Sequence, residues 1–246
     1  MAHFFFFFLS SARTYGGDST IYYPLHSWFD STKQNVVDAR HRLILHHLGG
    51  VSLALKIFGD YTTYVNDKGE TVNVSNYELG LQHITEDFGR TIYAEEIIEY
   101  FSRHLSGVLV NFNKDQALLN VIKHHRGSKD DYIQIIEFFE NFIKPWNIDP
   151  LLNQVATTLI ANTFGIFQAE KLYGAVWTRP SDGRKIPTRI VSENYVHGGF
   201  GYIPTLNEII DKIPVKSWMF VNAAALSFQF EGAEEKTNHK SMKPHI

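Results

Sequence analysis

The chain has 246 residues, 44% of them hydrophobic, and a net charge of −3. This length suits one large domain or two small ones. Basic and acidic residues are nearly balanced, which excludes the strongly basic surface of a typical nucleic-acid-binding protein. Cysteine is absent, which excludes disulfides, a thiolate nucleophile and cysteine metal ligands. We expect no specific nucleic-acid binding, and we expect a cytoplasmic location, with which this composition is compatible.

The first predicted element is a helix that contains five consecutive phenylalanines. Its apolar run, Phe4 to Leu9, is too short to span a bilayer. No lysine or arginine precedes this run, as one would in a signal peptide. We therefore expect a buried first helix and no membrane partner.

The next elements are helices interrupted by one hairpin. Glycines at helix ends, a Ser75-Asn76 N-cap and the turn Asn66–Gly69 mark their limits. The predicted elements are a second helix over Tyr22–Lys33, a long third helix over Val36–Phe58, a hairpin of Tyr61–Val65 and Thr71–Val74, a fourth helix from Asn76 to Asp87, and a fifth from Ala94 to His104.

The same order of elements recurs in the second half of the chain. Gly17–Asp30 aligns without gaps on Gly127–Glu140, and Gly50–Gly59 aligns on Gly165–Gly174. A repeated order of matching blocks indicates a tandem duplication. The sequence therefore predicts a mainly α fold with a small β-hairpin in each of two homologous repeats.

We place the first repeat at residues 1–107, the second at 108–215, and a C-terminal extension with a polar tail at 216–246. Homologous copies usually pack like the subunits of a dimer, because the same surface patch is self-complementary. We therefore expect a pseudo-twofold intramolecular dimer with a shared core. Further oligomerisation is compatible with the sequence.

Three helices of the first repeat carry histidines and acids. On the third helix, Asp38, His41 and Arg42 share one face, and His46 lies at its edge. Next to them, Gly49-Gly50 would allow another backbone segment to come close. An acid, an imidazole and a guanidinium on one face suggest a polar site.

On the fourth helix, His83 lies three positions before Glu86 and four before Asp87, so these side chains can converge on one ion. Imidazole and carboxylate ligands together suit a divalent metal such as Mn, Zn or Fe. The second helix adds His26, Asp30 and Lys33 on one face.

We assign these residues three roles. The predicted metal ligands are His41, His83 and Asp87, the predicted catalytic residues are Asp38, Glu86 and His46, and the predicted substrate-binding residues are Lys33, Arg40, Arg42, His26 and Asp30. The alternative interpretation is that these residues form ordinary salt bridges.

The second repeat keeps the apolar residues and the glycines but loses the polar set. His41 aligns with Ala156, and His83 aligns with Tyr195. Half of a buried charge network is costly to leave behind. The loss of nearly the whole set therefore indicates that it acts as a functional unit in the first repeat.

Several strings resemble a small domain-of-unknown-function family of bacteria and tailed phages. They are His26-x-Trp-x-Asp-Ser-Thr-Lys33, Asp38-x-Arg-His-Arg42, His46-His47, Phe58-Gly59 and Gln82-His83-x-x-Glu-Asp-x-Gly89. The resemblance covers about residues 10–100 and is weaker in the second repeat. It implies a phage or bacterial source and a polar site, but no substrate.

The leading hypothesis is a phage-encoded, metal-dependent hydrolase that acts on a small phosphorylated molecule such as a nucleotide. One alternative is a non-catalytic binding protein that sequesters a nucleotide or docks on a host protein. A further alternative is a structural component of the virion. The usual P-loop, dinucleotide-binding, nucleophile-elbow and H-E-x-x-H motifs are absent.

Overall fold

The computed structural model of the chain describes residues 5–105, 112–141 and 150–219. The predicted polar tail lies outside the described residues, as does most of the predicted C-terminal extension. None of the described helices is long and apolar enough to cross a membrane.

Within residues 5–105, the first repeat consists of six α-helices, three short 3-10 turns and one antiparallel hairpin. Its elements are α1 (Phe5–Tyr15), α2 (Tyr23–Phe29), α3 (Arg42–Leu45), α4 (Leu48–Phe58), β1 (Tyr61–Val65), β2 (Thr71–Ser75), α5 (Asn76–Phe88) and α6 (Ala94–Leu105), with 3-10 turns at Ser19–Ile21, Asp30–Gln34 and Ala39–His41.

The second repeat follows the same order within its described residues. Its elements are α7 (Lys114–His125), α8 (Ile133–Asn141), α9 (Pro150–Ile160), α10 (Thr163–Tyr173), β3 (Val176–Thr178), β4 (Lys185–Pro187), α11 (Thr188–Phe200) and α12 (Leu206–Ile210), with 3-10 turns at Lys129–Tyr132 and Ser217–Met219. The prediction of a mainly α fold with one hairpin in each repeat is confirmed.

Equivalent positions in the two repeats make equivalent contacts. The Tyr22 hydroxyl donates to the carbonyl of Gly16 at 2.8 Å, and the Tyr132 hydroxyl donates to the carbonyl of Arg126 at 2.5 Å. Each hairpin is preceded by a glycine with positive φ, Gly59 at 80° and Gly174 at 81°. The duplication therefore extends to individual hydrogen bonds.

The prediction of one continuous helix over Val36–Phe58 is wrong. The helix is interrupted between α3 and α4, where His46 has a non-helical ψ of 54°. A Cβ on Gly50 would lie 1.8 Å from the carbonyl oxygen of Leu45, so only glycine permits this sharp turn. The backbone segment that comes close to Gly50 is therefore the preceding turn of the same repeat, at Leu45. Gly165 permits the same break between α9 and α10.

The second helix is also shorter than predicted. It ends at Phe29 and continues as the 3-10 turn that begins at Asp30. The hairpin, the Ser75 cap of α5 and the end of α5 at Gly89 agree with the predictions.

Apolar side chains of both repeats form one connected core. Helices α4 and α10, which are equivalent in the two repeats, contact each other. The Trp28 indole donates to Gln168 Oε1 across the repeats at 2.8 Å. Contact between equivalent elements is what a self-complementary patch requires. The pseudo-twofold axis itself stays a prediction.

We expect the first repeat alone, residues 1–107, not to fold as a cooperative monomer, because its half of the shared core would be exposed to water. Binding of an apolar dye and the sharpness of urea unfolding test this, with the full chain as the control. A fragment that unfolds cooperatively as a monomer without dye binding would show that the repeats are independent.

Candidate metal centre

Four buried side chains of the first repeat converge on one point. They are Asp30, His46, His83 and Asp87, and one ligand atom of each lies within 4.8 Å of the ligand atoms of the others. Two imidazole nitrogens and two carboxylate oxygens form a set that can hold a metal ion.

Local backbone structure brings these residues together. Asp30 lies where α2 gives way to a 3-10 turn, and His46 lies at the C-cap of α3, where the break turns the chain. His83 and Asp87 are one turn apart on the buried face of α5. Because three separate elements contribute, the group forms only when the first repeat is folded.

The spacing between the ligand atoms matches metal coordination. His46 Nε2 lies 3.0 Å from Asp87 Oδ2, 3.0 Å from His83 Nε2 and 3.4 Å from Asp30 Oδ1. His83 Nε2 lies 3.8 Å from Asp87 Oδ2 and 3.9 Å from Asp30 Oδ1. A tetrahedral ion with bonds of about 2.0–2.1 Å holds its ligand atoms about 3.3 Å apart. The observed spacing is close to that value.

Several acceptors in this group lack a hydrogen bond. His41 Nδ1 donates to the carbonyl of Asp38 at 2.6 Å, so neutral His41 carries a lone pair on Nε2. That nitrogen lies 3.7 Å from Asp30 Oδ1. Within the described part of the chain, His41 Nε2, Asp30 Oδ1 and Asp87 Oδ2 are buried without a hydrogen-bond partner of acceptable geometry. Two acceptors of the group, and a third on the adjacent His41, are therefore buried without a hydrogen bond.

Two cations flank the carboxylates on the side away from these acceptors. Arg42 Nη2 lies 2.9 Å from Asp87 Oδ1, and Lys33 Nζ lies 2.7 Å from Asp30 Oδ2. Burial alone raises the pKa of both aspartates, but the adjacent histidines, and Arg42 beside Asp87, lower both values well below the usual range. The carboxylates therefore remain ionised at neutral pH.

Three of the surrounding histidines, His83, His26 and His41, stay neutral. Burial lowers the pKa of His83 well below its usual value, lowers that of His26 to about 4 and lowers that of His41. Metal ligation requires neutral imidazole and ionised carboxylate. Asp30, Asp87 and His83 already meet this requirement.

The structure separates the eleven predicted site residues into four groups. Asp30, His46, His83 and Asp87 form the buried group, and His41, Arg42 and Lys33 contact it. His26 contacts His83, and Glu86 connects to His26 through Gln82 and Ser11. Asp38 and Arg40 pair with each other at 2.7 Å, away from the four-residue group. No observation tests the individual roles assigned to these residues.

Arg42 and Arg40 are both engaged with the second repeat. Arg42 Nη1 donates to the carbonyl of Met219 at 2.6 Å, while its other terminal nitrogen holds Asp87. Arg40 Nη1 donates to the carbonyls of Ile210 and Ile213, each at 3.1 Å. The second repeat therefore contacts Arg42, the arginine that pairs with Asp87.

Sequence reasoning missed Ser10, Ser11 and Gln82, which connect to the site through hydrogen bonds. Ser11 Oγ lies 2.8 Å from His26 Nε2 and donates to Gln82 Oε1 at 2.9 Å. Serines are common on exposed helical faces, so Ser10 and Ser11 carried no signal in the sequence. Their place on the buried side of α1 depends on packing.

The second repeat fills the equivalent space with a tyrosine–glutamate pair and a phenylalanine ring. Tyr195 replaces His83, and its hydroxyl donates to Glu140 Oε1 at 2.8 Å, where Glu140 is the counterpart of Asp30. Gly199 replaces Asp87, and a Cβ there would lie 2.1 Å from the Phe112 ring. The second repeat therefore has no room for a carboxylate at this position.

These features define a duplicated helical protein in which one repeat carries a buried histidine–aspartate group able to hold a metal ion. The family model described as Domain of unknown function (DUF6915) matches residues 2–105 and 115–219. The chain belongs to this family and contains two tandem copies of its domain. No curated protein and no solved structure matches the chain significantly.

We expect the metal-free protein to lose stability on acidification from about pH 6.5, the usual pKa of histidine. Below that pH the unfolded chain binds protons that the buried histidines of the folded chain do not, so the free energy of unfolding falls. Each such histidine contributes a slope that approaches about 1.4 kcal/mol per pH unit. Urea unfolding at a series of pH values measures it.

A matched control is His47→Asn. Burial lowers the pKa of His47 to about 4, and the side chain caps α4, as Asn162 caps α10. The variant should fold and show a shallower slope by one histidine. A free energy of unfolding that is constant between about pH 6.5 and 5 would contradict the neutral buried histidines.

Proposed function

We propose that the chain is a metal-binding protein whose first repeat binds one divalent transition-metal ion through Asp30, His46, His83 and Asp87. The observation that carries this proposal is the set of buried acceptors without hydrogen bonds at Asp30 Oδ1, Asp87 Oδ2 and His41 Nε2. A buried acceptor left unsatisfied costs about 1–3 kcal/mol, and more when it is charged. One cation in their midst would satisfy all of them.

The donor types favour particular ions. Two imidazoles and two carboxylates, with the third imidazole of His41 as a fifth donor, suit Mn, Zn or Fe(II). Magnesium and calcium prefer sites built from oxygen alone. The ion would also balance the charge of two neighbouring buried carboxylates, whose outer oxygens face Arg42 and Lys33.

The full-length chain, purified without a histidine tag, is expected to contain or take up close to one equivalent of Mn, Zn or Fe. Loss of an outer-shell partner lowers metal affinity about 10–100-fold. Asp30→Asn should lower it by more, because this variant removes the charge of a ligand. Elemental analysis and chelator competition measure this.

His47→Asn is the matched control, since His47 is also fully buried but bonds to Ile44 and Gly50 outside the group. It should keep the wild-type metal content. An ion present at about 100 times its dissociation constant should add about 2.7 kcal/mol to the free energy of unfolding. Metal content far below one equivalent, with no uptake and no thermal shift, would overturn the proposal.

A second candidate function is hydrolysis of a small phosphorylated molecule at the bound ion. It is favoured by Lys33, whose side chain is 27% exposed while its ammonium contacts the ligand residue Asp30. A phosphate held by Lys33 would lie beside the ion. A bound divalent ion can supply an activated water at neutral pH. The substrate would be an anion small enough to approach along this side.

If this candidate is right, the metal-loaded chain should hydrolyse members of a panel of nucleotides or p-nitrophenyl phosphate. Lys33→Gln should lower kcat/KM, because it removes the cation beside the ion, and Lys56→Gln on the exposed face of α4 should leave it unchanged. A nucleotide that binds and is recovered intact would favour the binding-protein alternative. Absence of both binding and turnover would contradict both.

A further inference from the structure

A chain of side-chain hydrogen bonds leads from the surface of the first repeat to His83. It begins at Glu86 Oε1, which accepts from Ser10 Oγ at 2.6 Å and from Gln82 Nε2 at 2.8 Å. Gln82 Nε2 also donates to Ser10 Oγ at 2.9 Å. Both contacts require the amide nitrogen on this side. The orientation of Gln82 is therefore fixed, and its oxygen faces Ser11.

The direction of the next bonds follows from proton counting. Ser11 has one hydroxyl proton, which it donates to Gln82 Oε1 at 2.9 Å. Toward His26 Nε2, which lies 2.8 Å away, Ser11 can therefore only accept. The proton of neutral His26 is thus on Nε2, and its Nδ1 carries a lone pair.

The lone pair of His26 determines the state of His83. The two Nδ1 atoms lie 2.9 Å apart, so one must donate and the other accept. Both rings are completely buried, which disfavours a second proton on either. His83 is therefore the donor through Nδ1, and its Nε2 lone pair faces Asp30, His46 and Asp87.

The second repeat has replaced this chain together with the metal group. Val121 stands at the position of Ser11, Ile136 at that of His26, and Gly198 at that of Glu86. The fold of the second repeat therefore does not require polar groups at these three positions. Their loss together with that of His83 and Asp87 indicates that Ser11, His26 and Glu86 serve the same purpose as the ligands.

We infer that Ser10, Ser11, His26, Gln82 and Glu86 are positioning residues that hold His83 in the tautomer whose Nε2 lone pair faces the metal ligands. This inference rests on the proposed metal site. It gives Glu86 and His26 a role through His83 in place of direct contact with a substrate. Outer-shell partners of this kind fix the ring orientation of metal-binding histidines.

The test is the ring ¹⁵N–¹H correlation spectrum of the metal-free full chain labelled in its histidines, with signals assigned by single variants. We expect His83 to carry its proton on Nδ1 and His26 to carry its proton on Nε2. A proton on His83 Nε2 overturns the inference. The expected tautomers together with a failure to take up Zn or Mn would overturn the metal proposal and, with it, the role of these residues as positioning groups.

A variant tests the consequence for affinity. Ser11→Ala removes the acceptor of His26 Nε2, which frees His26 to move its proton to Nδ1 and so places the proton of His83 on Nε2. Zn affinity, measured by chelator competition, should fall about 10–100-fold, and the His83 signals should change accordingly.

Ser192→Ala is the control, because Ser192 is an equally buried serine on a helix of the second repeat. It should leave both readouts unchanged. Wild-type Zn affinity in folded Ser11→Ala would overturn the inference. If that variant does not fold, the spectrum of the wild-type chain still decides.

Discussion

Two carboxylates buried side by side are the constraint on which the first repeat depends. Ionised groups are expensive to remove from water unless each is paired and hydrogen-bonded. The outer oxygens of Asp30 and Asp87 are paired with Lys33 and Arg42, which offsets part of this cost. Their inner oxygens face imidazole nitrogens and, in our proposal, a cation. The helix break that Gly50 permits places His46 beside the two carboxylates, and the 3-10 turn places Asp30 there.

The duplication divides two tasks between the repeats. The first repeat carries the charged group, and the second supplies a partner surface with an apolar interior. Glycines at 198 and 199 let α11 approach α7 closely, with the Phe112 ring against Gly199 and α7 itself against Gly198. Close packing therefore stabilises the interior of the second repeat, whereas in our proposal a bound ion stabilises that of the first. Helices α4 and α10 join the two solutions in one core.

Sequence patterns were sufficient for the features that depend on local order. The duplication, the hairpins and the ends of α5 follow from glycine, capping and turn residues, and the structure contains all of them. His83 and Asp87 were named as ligands because a helix places them one turn apart. The helical-wheel argument failed for the third helix, since it assumed a continuous helix through Gly50. The argument therefore placed His46 at the edge of a helical face, whereas the helix break turns His46 toward Asp30, His83 and Asp87.

Asp30 and Ser11 show a different limit. Asp30 was assigned to substrate binding together with Lys33, which shares its predicted helical face. The sequence does not show that His46, His83 and Asp87 face Asp30 from other elements. Serine and glutamine are common on exposed helical faces, so Ser11 and Gln82 carry no signal until burial is known. Burial here depends on how α1 crosses α2 and α5, which is a property of the whole repeat.

The bond from Arg42 to the carbonyl of Met219 has a consequence for how this chain can vary. The second repeat holds both arginines through backbone oxygens. Met219 accepts from Arg42, which pairs with Asp87, and Ile210 and Ile213 accept from Arg40, which lies away from the buried group. Every residue carries a backbone carbonyl whatever its side chain, but only a segment of fixed length places that carbonyl correctly. Substitutions at the exposed positions between Ile210 and Met219 should therefore be tolerated more readily than insertions or deletions, and the length of this segment should vary less than the residues at those positions.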